Sequence, residues 1–464
     1  MCRRPFCRFA NASRVASILF LVVMLFGSLM DPQLLHAQVK VGAASSELIC
    51  DPEMVIGGGI LGAHMTEQEG KLRVIAVVLE KPGSPKVAIV AADVLFVSKD
   101  FVDAALKEIE KTIGIPADNI LVNATHTHHA PTTATVHGYK REEEFCKRVQ
   151  QGIVKAVTEA NAKLSEKPCE FKFCLGEESS FGQNSRLLLN DGRVYWTGPQ
   201  DGFVRPTGPF DPQLPVLAFE NDQKKLQAVI FNHSTHTIGS RKPGVRSPSV
   251  YGFTTQELED ELGGTFLFLE GASGSTHNLY LKADEGITRM KAAVKSALEK
   301  AEPHPVNALL SIKKPFTFKV RTFDDAVEDK KCVDYCTKYN GKHADSIIGV
   351  FRNQRAVLAP QQGQERTTVL QTMLIGDVAI VGVPAEYFTV LGQDIKRRSP
   401  FRYTYVAELA NDWIGYLPDK RGHELGGYQT WTGLHSYAEP GTGERIVDET
   451  VSMLNELHKK ANTH

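Results

Sequence analysis

Histidines cluster at two places in this sequence, and each cluster directly follows an apolar run. Asn123-Ala-Thr-His126-Thr-His128-His129 closes the run Ile120-Leu-Val, and Phe231-Asn-His233-Ser-Thr-His236 closes a second. On an extended backbone, side chains two apart project to the same face, so His126 and His128 can address one point. One could hold a metal while the other steadies a substrate oxygen. A catalytic zinc takes a few nitrogen or oxygen ligands and leaves a position open for water. His126 with His233 would supply two nitrogens, although His233 could equally cap a strand end. Glu386 follows the apolar run Val378-Ala-Ile-Val and Pro384. A carboxylate buried there needs a cation, unless it serves the positive end of the helix that follows.

The elements that must position these groups read as an α/β fold of mixed β-sheets flanked by helices in a single large catalytic domain. Apolar, β-branched runs predict strands over 72–79, 86–92, 120–123, 216–219, 226–231 and 265–269. Helical spacing predicts helices over 101–113, 142–164, 253–262 and 284–300 and a final helix near Leu454, with a helical excursion over 323–361. Gly, Asn, Asp and Pro crowd the stretch 176–215, a long turn-rich segment of the kind that lines sites. Two segments look alike: Val87-Ala-Ile-Val-Ala-Ala-Asp93 and Val378-Ala-Ile-Val-Gly-Val-Pro384 each precede a helix and another strand. The ends of such strands are where α/β sheets place ligands. The match is short enough to arise between unrelated units as well.

The N-terminus carries Arg3, Arg4, Arg8 and Arg14 before an uncharged run over 15–30 and the segment Leu35-His36-Ala37. This reads as a signal peptide over 1–37 preceding a domain over 38–464; an uncleaved membrane anchor is the alternative. The expected location is secreted or periplasmic, with membrane association and transient membrane-surface contact as further expectations. A formal net charge of −1 in 464 residues offers no basic field for nucleic acid, so a small-molecule N-acyl or lipid substrate is the expected partner. Eight cysteines are present. Cys2 and Cys7 fall in the expected signal, and Cys50, Cys146, Cys169, Cys174, Cys332 and Cys336 read as bridge or buried thiols rather than a zinc site.

Taken in order, these segments resemble the neutral, non-lysosomal ceramidase family over most of the chain. Thr125-His126-Thr127-His128 is similar to the family's THTH segment, Val383-Pro384-Ala385-Glu386 to its Pro-Gly-Glu turn, and Asn411-Asp-Trp-Ile-Gly-Tyr416 to the segment ending in a ligand tyrosine. The resemblance implies a zinc-dependent amidohydrolase with His126, His233, Glu386 and Tyr416 as ligands. It also implies that His128 contacts the substrate or transition state, and that Gly62, Arg186 and Tyr428 fall at substrate-pocket positions.

The family's serine-bearing Gly-Asp-x-Ser-Pro-Asn loop corresponds to Gly271-Ala-Ser-Gly-Ser-Thr-His-Asn278. Its register puts His277 or Thr276 at the serine position, so no nucleophile is carried over. The expected chemistry is attack by zinc-bound hydroxide on an N-acyl amide, in a ceramide-like sphingolipid or another N-acyl amine. His128 and zinc would stabilise the oxyanion, and His277 would give a proton to the leaving amine. A hydrolase of another ester or lactone, and an inactive metal-containing ligand-binding protein, are the alternatives. The family's C-terminal β-sandwich has no counterpart before residue 464.

Overall fold

Residues 39–463 are described in the computed structural model; the expected signal segment lies outside them. The β-branched runs build three sheets of one kind. In the first, Arg73–Glu80 pairs antiparallel with Lys40–Glu47 and with Val87–Ala92. The chain then crosses through the helix Lys99–Ile113, and Ile120–Ala124 returns parallel to Val87–Ala92. In the second, Gln213–Glu220 pairs antiparallel with Glu170–Glu177 and Leu226–His233, and Thr265–Glu270 lies parallel to Leu226–His233 after the helix Ser249–Leu262. In the third, Glu365–Ile375 pairs antiparallel with Leu309–Lys319 and Val378–Gly382, and Tyr403–Ala407 lies parallel to Val378–Gly382 after the helix Thr389–Arg398. A second helix closes each unit: Glu143–Ala162, Ala283–Lys300 and Thr442–Ala461. The pair of similar segments in the sequence thus belongs to a threefold structural repeat whose middle copy the sequence did not reveal.

Strands that are apolar on both sides need cover on both faces, and the repeat supplies it. One face of each sheet turns to a shared core that contains Val77, Ile89 and Leu121 from the first sheet, Phe171, Leu217 and Leu267 from the second, and Met373, Ile380 and Tyr405 from the third. The other faces lie beneath their own helices in separate apolar layers. The segment from Gln38 onward forms one compact unit.

Long excursions leave each repeat between its first and second strands. The third contains the helices Asp325–Tyr339 and Ala344–Leu358, where the sequence predicted a helical excursion. The second is the turn-rich stretch, within which Leu187–Leu189 pairs with Phe203–Pro206, while Gln183–Asn184 pairs with Thr276–His277 from the loop after the last strand of the second sheet. Among the described residues all six cysteines are free thiols. Cys332 and Cys336, on one helix, have their sulfurs 3.8 Å apart. No helix of the described residues is long and apolar enough to cross a membrane.

Candidate active site

The parallel strands of the three sheets end together, and their ends are tied by buried polar groups. Asn123 Oδ1 accepts from Glu270 N–H (3.0 Å), its Nδ2 donates to the Glu408 carbonyl, and Asn232 Nδ2 donates to the carbonyls of Leu269 and Val406, both at 2.9 Å. Buried amides with every partner in place fix the relative position of the segments that follow them.

His126 lies in the first of those segments. Its φ of 62° is left-handed, a conformation costing a non-glycine residue about 1–3 kcal/mol, and the hydrogen bond from its Nδ1 to the Leu95 carbonyl (2.9 Å) helps to hold it. His126 and His128 do face one point, with their Nε2 atoms 3.2 Å apart. They reach it through this turn and not through strand alternation.

The second imidazole pair divides differently from the expectation. His233 is the last residue of its strand, and its ring is turned away to Tyr251 Oη (2.8 Å) and the Glu178 carbonyl (3.0 Å), which occupy both nitrogens. His236, three residues on, has left the strand and brings its Nε2 within 3.4 Å of Glu386 Oε1 and 3.3 Å of Tyr416 Oη. Glu386 and Tyr416 are direct neighbours in a short parallel pairing of Glu386–Tyr387 with Tyr416–Leu417. Glu386 Oε1 also stands 3.5 Å from His126 Nε2, while Oε2 accepts from Trp413 Nε1 (3.0 Å), whose indole stacks on Phe96.

Protons on these rings can be assigned from their partners, because a carbonyl only accepts. Nδ1 of His126 donates to Leu95, Nδ1 of His128 to Gly58 (3.1 Å) and Nδ1 of His236 to Ser273 (2.8 Å). Burial first, and then the neighbouring imidazoles, hold His126 and His128 well below the ordinary histidine pKa, so both rings are neutral. Nε2 of His126 and Nε2 of His128 are therefore both lone pairs, 3.2 Å apart with no proton between them. With the Nε2 of His236, the Glu386 carboxylate and the Tyr416 phenol converging on the same point, largely withdrawn from water, this is a donor set that a cation would satisfy. Imidazoles whose far nitrogens donate to carbonyls are the usual form of metal ligands. The three histidines offer ligand atoms all within 4.8 Å of one another, and a nitrogen-rich set with one carboxylate suits zinc. Burial, and then Glu386, raise the Tyr416 phenol well above its ordinary pKa, so only a cation would favour its ionised form.

His128 stands both at this convergence point, through Nε2, and in the lining of the cleft, while its Nδ1 is held by the Gly58 carbonyl.

A cleft of about 550 Å3 opens onto this cage. Its walls include Gly58, Gly59, Ile60, Tyr195, Trp196, Ile238, Leu279, Leu281 and Tyr428 along with His128, His236, His277 and Tyr416, and no lysine, arginine, aspartate or glutamate lines it. Gly58 is required, since a Cβ there would meet His128 Cβ at 2.6 Å.

Two expected pocket residues lie elsewhere. Gly62 packs against Val55 and Tyr139 in a separate shallow cavity. Arg186 is buried, and its guanidinium donates to the carbonyls of Gly422 (3.1 Å) and Gly426 (2.6 Å) and to Gln429 Oε1 (2.8 Å), holding the loop that carries Tyr428. Tyr195 and Trp196 line the cleft beside Tyr416 and Tyr428, whereas Phe181 and Trp431 are core and Trp413 orients Glu386. A larger cavity of about 640 Å3 lies behind the loop, but the cage histidines are not among its lining residues.

In the 271–278 loop, Ser275 Oγ bonds with Thr389, Thr276 Oγ1 donates to the Ser234 carbonyl, and Ser273 Oγ donates to Glu408 Oε1. All three hydroxyls are engaged in structure, and His277 is the side chain that the loop presents to the cleft. Burial, and then His236, push its pKa down to about 3.

Against known proteins, no family model matches the chain. No curated protein matches it either. Among solved structures, neutral ceramidase from Pseudomonas aeruginosa is similar with a TM-score of 0.69 at 17% identity, over 90% of this chain and 75% of that one. A ceramidase complexed with C2 is similar with a TM-score of 0.70 at 16% identity, over 91% of this chain and 76% of that one. The chain has the neutral ceramidase fold. At such identity the neutral ceramidase fold is what is shared, and the chemistry must be argued from the cage and the cleft.

Proposed function

We propose that this chain is a zinc-dependent hydrolase of a neutral N-acyl amide, a ceramide-like lipid or another N-acyl amine. The observation that carries the reading is the convergence of the His126, His128 and His236 Nε2 atoms with Glu386 and Tyr416 at the end of a cleft whose walls carry no lysine, arginine, aspartate or glutamate. His126, His236, Glu386 and Tyr416 would hold the ion, with His128 as a further donor; His233, with both nitrogens engaged, is replaced in this set by His236. A zinc ion there would polarise an acyl carbonyl and acidify a water molecule.

The remaining steps belong to the chain's own side chains. Apolar walls exclude water and take the acyl chain, and the Tyr428 hydroxyl donates to the acyl oxygen as negative charge develops on it. His277, whose ring lies in the cleft beside His236, relays the proton released as water adds to the acyl carbon. It returns that proton to the nitrogen as the C–N bond breaks, leaving a carboxylic acid and an amine. The similarity to a ceramidase complexed with C2 supports a lipid-like substrate. We further read the N-terminal segment as an export signal, which places the reaction outside the cytoplasm.

Metal analysis of the purified protein beside two variants tests the cage. His236→Ala should lose zinc, and His233→Ala should keep it. Equal zinc in wild type and His236→Ala would sink the assignment. Hydrolysis of N-acyl amines, esters and lactones of varied chain length then separates the substrate classes. Stoichiometric zinc and tight ligand binding without turnover would favour a binding protein instead.

A further inference from the structure

Tyr428 is the end of a chain of side chains that neither the cage nor the cleft accounts for. Leu434 N–H donates to Gln354 Oε1 at 2.9 Å. A backbone N–H cannot accept, so this contact identifies the amide oxygen and leaves Nε2 as the other terminus. Nε2 stands 3.5 Å from His137 Nδ1. An amide nitrogen has no lone pair to offer, so Nδ1 must be the unprotonated nitrogen of that ring. The His137 ring packs among Tyr139, Phe351, Tyr428 and His435, and burial together with His435 keeps it neutral. Its one proton then sits on Nε2, 3.1 Å from Tyr428 Oη. A phenol oxygen that accepts from His137 keeps its own proton for another acceptor. His137 also has a left-handed φ of 56°, a cost that the surrounding turn must hold in place.

We propose that Gln354 and His137 are positioning residues that fix the Tyr428 hydroxyl as a hydrogen-bond donor to the substrate's acyl oxygen. With the opposite tautomer, His137 Nε2 would take the phenol's proton, and the hydroxyl would meet the substrate with lone pairs. The proposal rests on the hydrolase reading for its consequence but not for its geometry.

The test has two arms. In zinc-loaded protein labelled with 15N-histidine, long-range 1H–15N correlation, with His137 assigned through the loss of its signals in His137→Gln, should show the Nε2–H tautomer; the Nδ1–H tautomer overturns the proposal. In the kinetic arm, Gln354→Glu keeps an acceptor for Leu434 and makes His137 Nδ1–H the favoured form. It should lower kcat about 10²-fold, the scale of losing an oxyanion donor, with little change in KM. In a Tyr428→Phe background the same substitution should cost almost nothing more. An equal loss in both backgrounds would mean a merely structural role and would overturn the proposal. If the wild type hydrolyses no amide, the functional reading fails, and the tautomer still decides this one.

Discussion

His435 shows how much of this site is sensitive to acid. It is buried beside Tyr428, donates from Nε2 to the Tyr428 carbonyl (3.1 Å) and leaves Nδ1 without a partner. Burial pushes its pKa down to about 3, against about 6.5 for a free histidine. The unfolded chain therefore takes up this proton first as pH falls. The stability tied to His435 is complete above about 6.5 and is lost between there and about 3. By pH 5 the loss from this one group amounts to about 2 kcal/mol. Denaturant titrations of metal-free protein at pH 7 and pH 5 should show that His435→Gln loses less stability across this interval than wild type. Identical losses would mean that the ring titrates in the folded state. At this scale, His126, His128 and Glu386 stood out in the sequence because each follows an apolar run that ends in a polar segment, whereas Tyr416 came only from the resemblance to the ceramidase family. The choice between His233 and His236 was not, since it turns on where the strand stops, a boundary one or two residues wide. Arg186 was expected in the substrate pocket; its guanidinium instead meets the Gly422 and Gly426 carbonyls and Gln429 Oε1 of a distant loop, which no local pattern announces.

Between the elements, the repeat explains why the candidate cage draws on three distant parts of the sequence: the strand ends of the three sheets meet, and His126 and His128 follow the last strand of the first sheet, His236 the third strand of the second, and Glu386 and Tyr416 the third and last strands of the third. The sequence displayed two copies because Val87-Ala-Ile-Val and Val378-Ala-Ile-Val share small and β-branched residues, whereas the middle copy, Ala228-Val-Ile-Phe-Asn-His233, carries phenylalanine and asparagine at the corresponding end. The structure conserves burial on both faces, which many apolar residues satisfy. Arg186 tests how the loop from the third repeat is held. Arg186→Met should leave the acceptors of Gly422, Gly426 and Gln429 without their donor, at about 1–3 kcal/mol of stability for a buried unsatisfied group. Zinc content should be unchanged, because none of those hydrogen bonds reaches the cage. The KM for an N-acyl amine should rise as Tyr428 and Gln429 lose their support. Loss of zinc in this variant would show that the loop and the cage are not separable.

For the molecule as a whole, the first two excursions and the loops after the strands contribute to one opening, and some of the exposed apolar residues lie near it. Leu61 (46% exposed), Phe203 (50%), Val204 (56%), Ile238 (45%) and Tyr280 (65%) sit on or beside segments that line the cleft. Tyr280 Oη donates to Gln200 Oε1 (2.7 Å), which ties the 200–204 turn to the wall formed by Leu279 and Leu281, and Ile238 is bonded through its backbone to Asn278. The expected membrane-surface contact would be made by these residues, and a neutral lipid would then pass from a bilayer into the cleft without crossing solvent. Burying each large side chain contributes about 1.5–3 kcal/mol, so removing two should weaken docking by at least about tenfold. Replacing Phe203 and Tyr280 together by serine should therefore abolish sedimentation with phosphatidylcholine vesicles and slow hydrolysis of an N-acyl amide presented in them. Hydrolysis of a short-chain, soluble N-acyl amine should stay close to that of wild type. Equal losses on the soluble and the vesicle-borne substrate would place these two residues in the cleft's own shape and remove the membrane from the account.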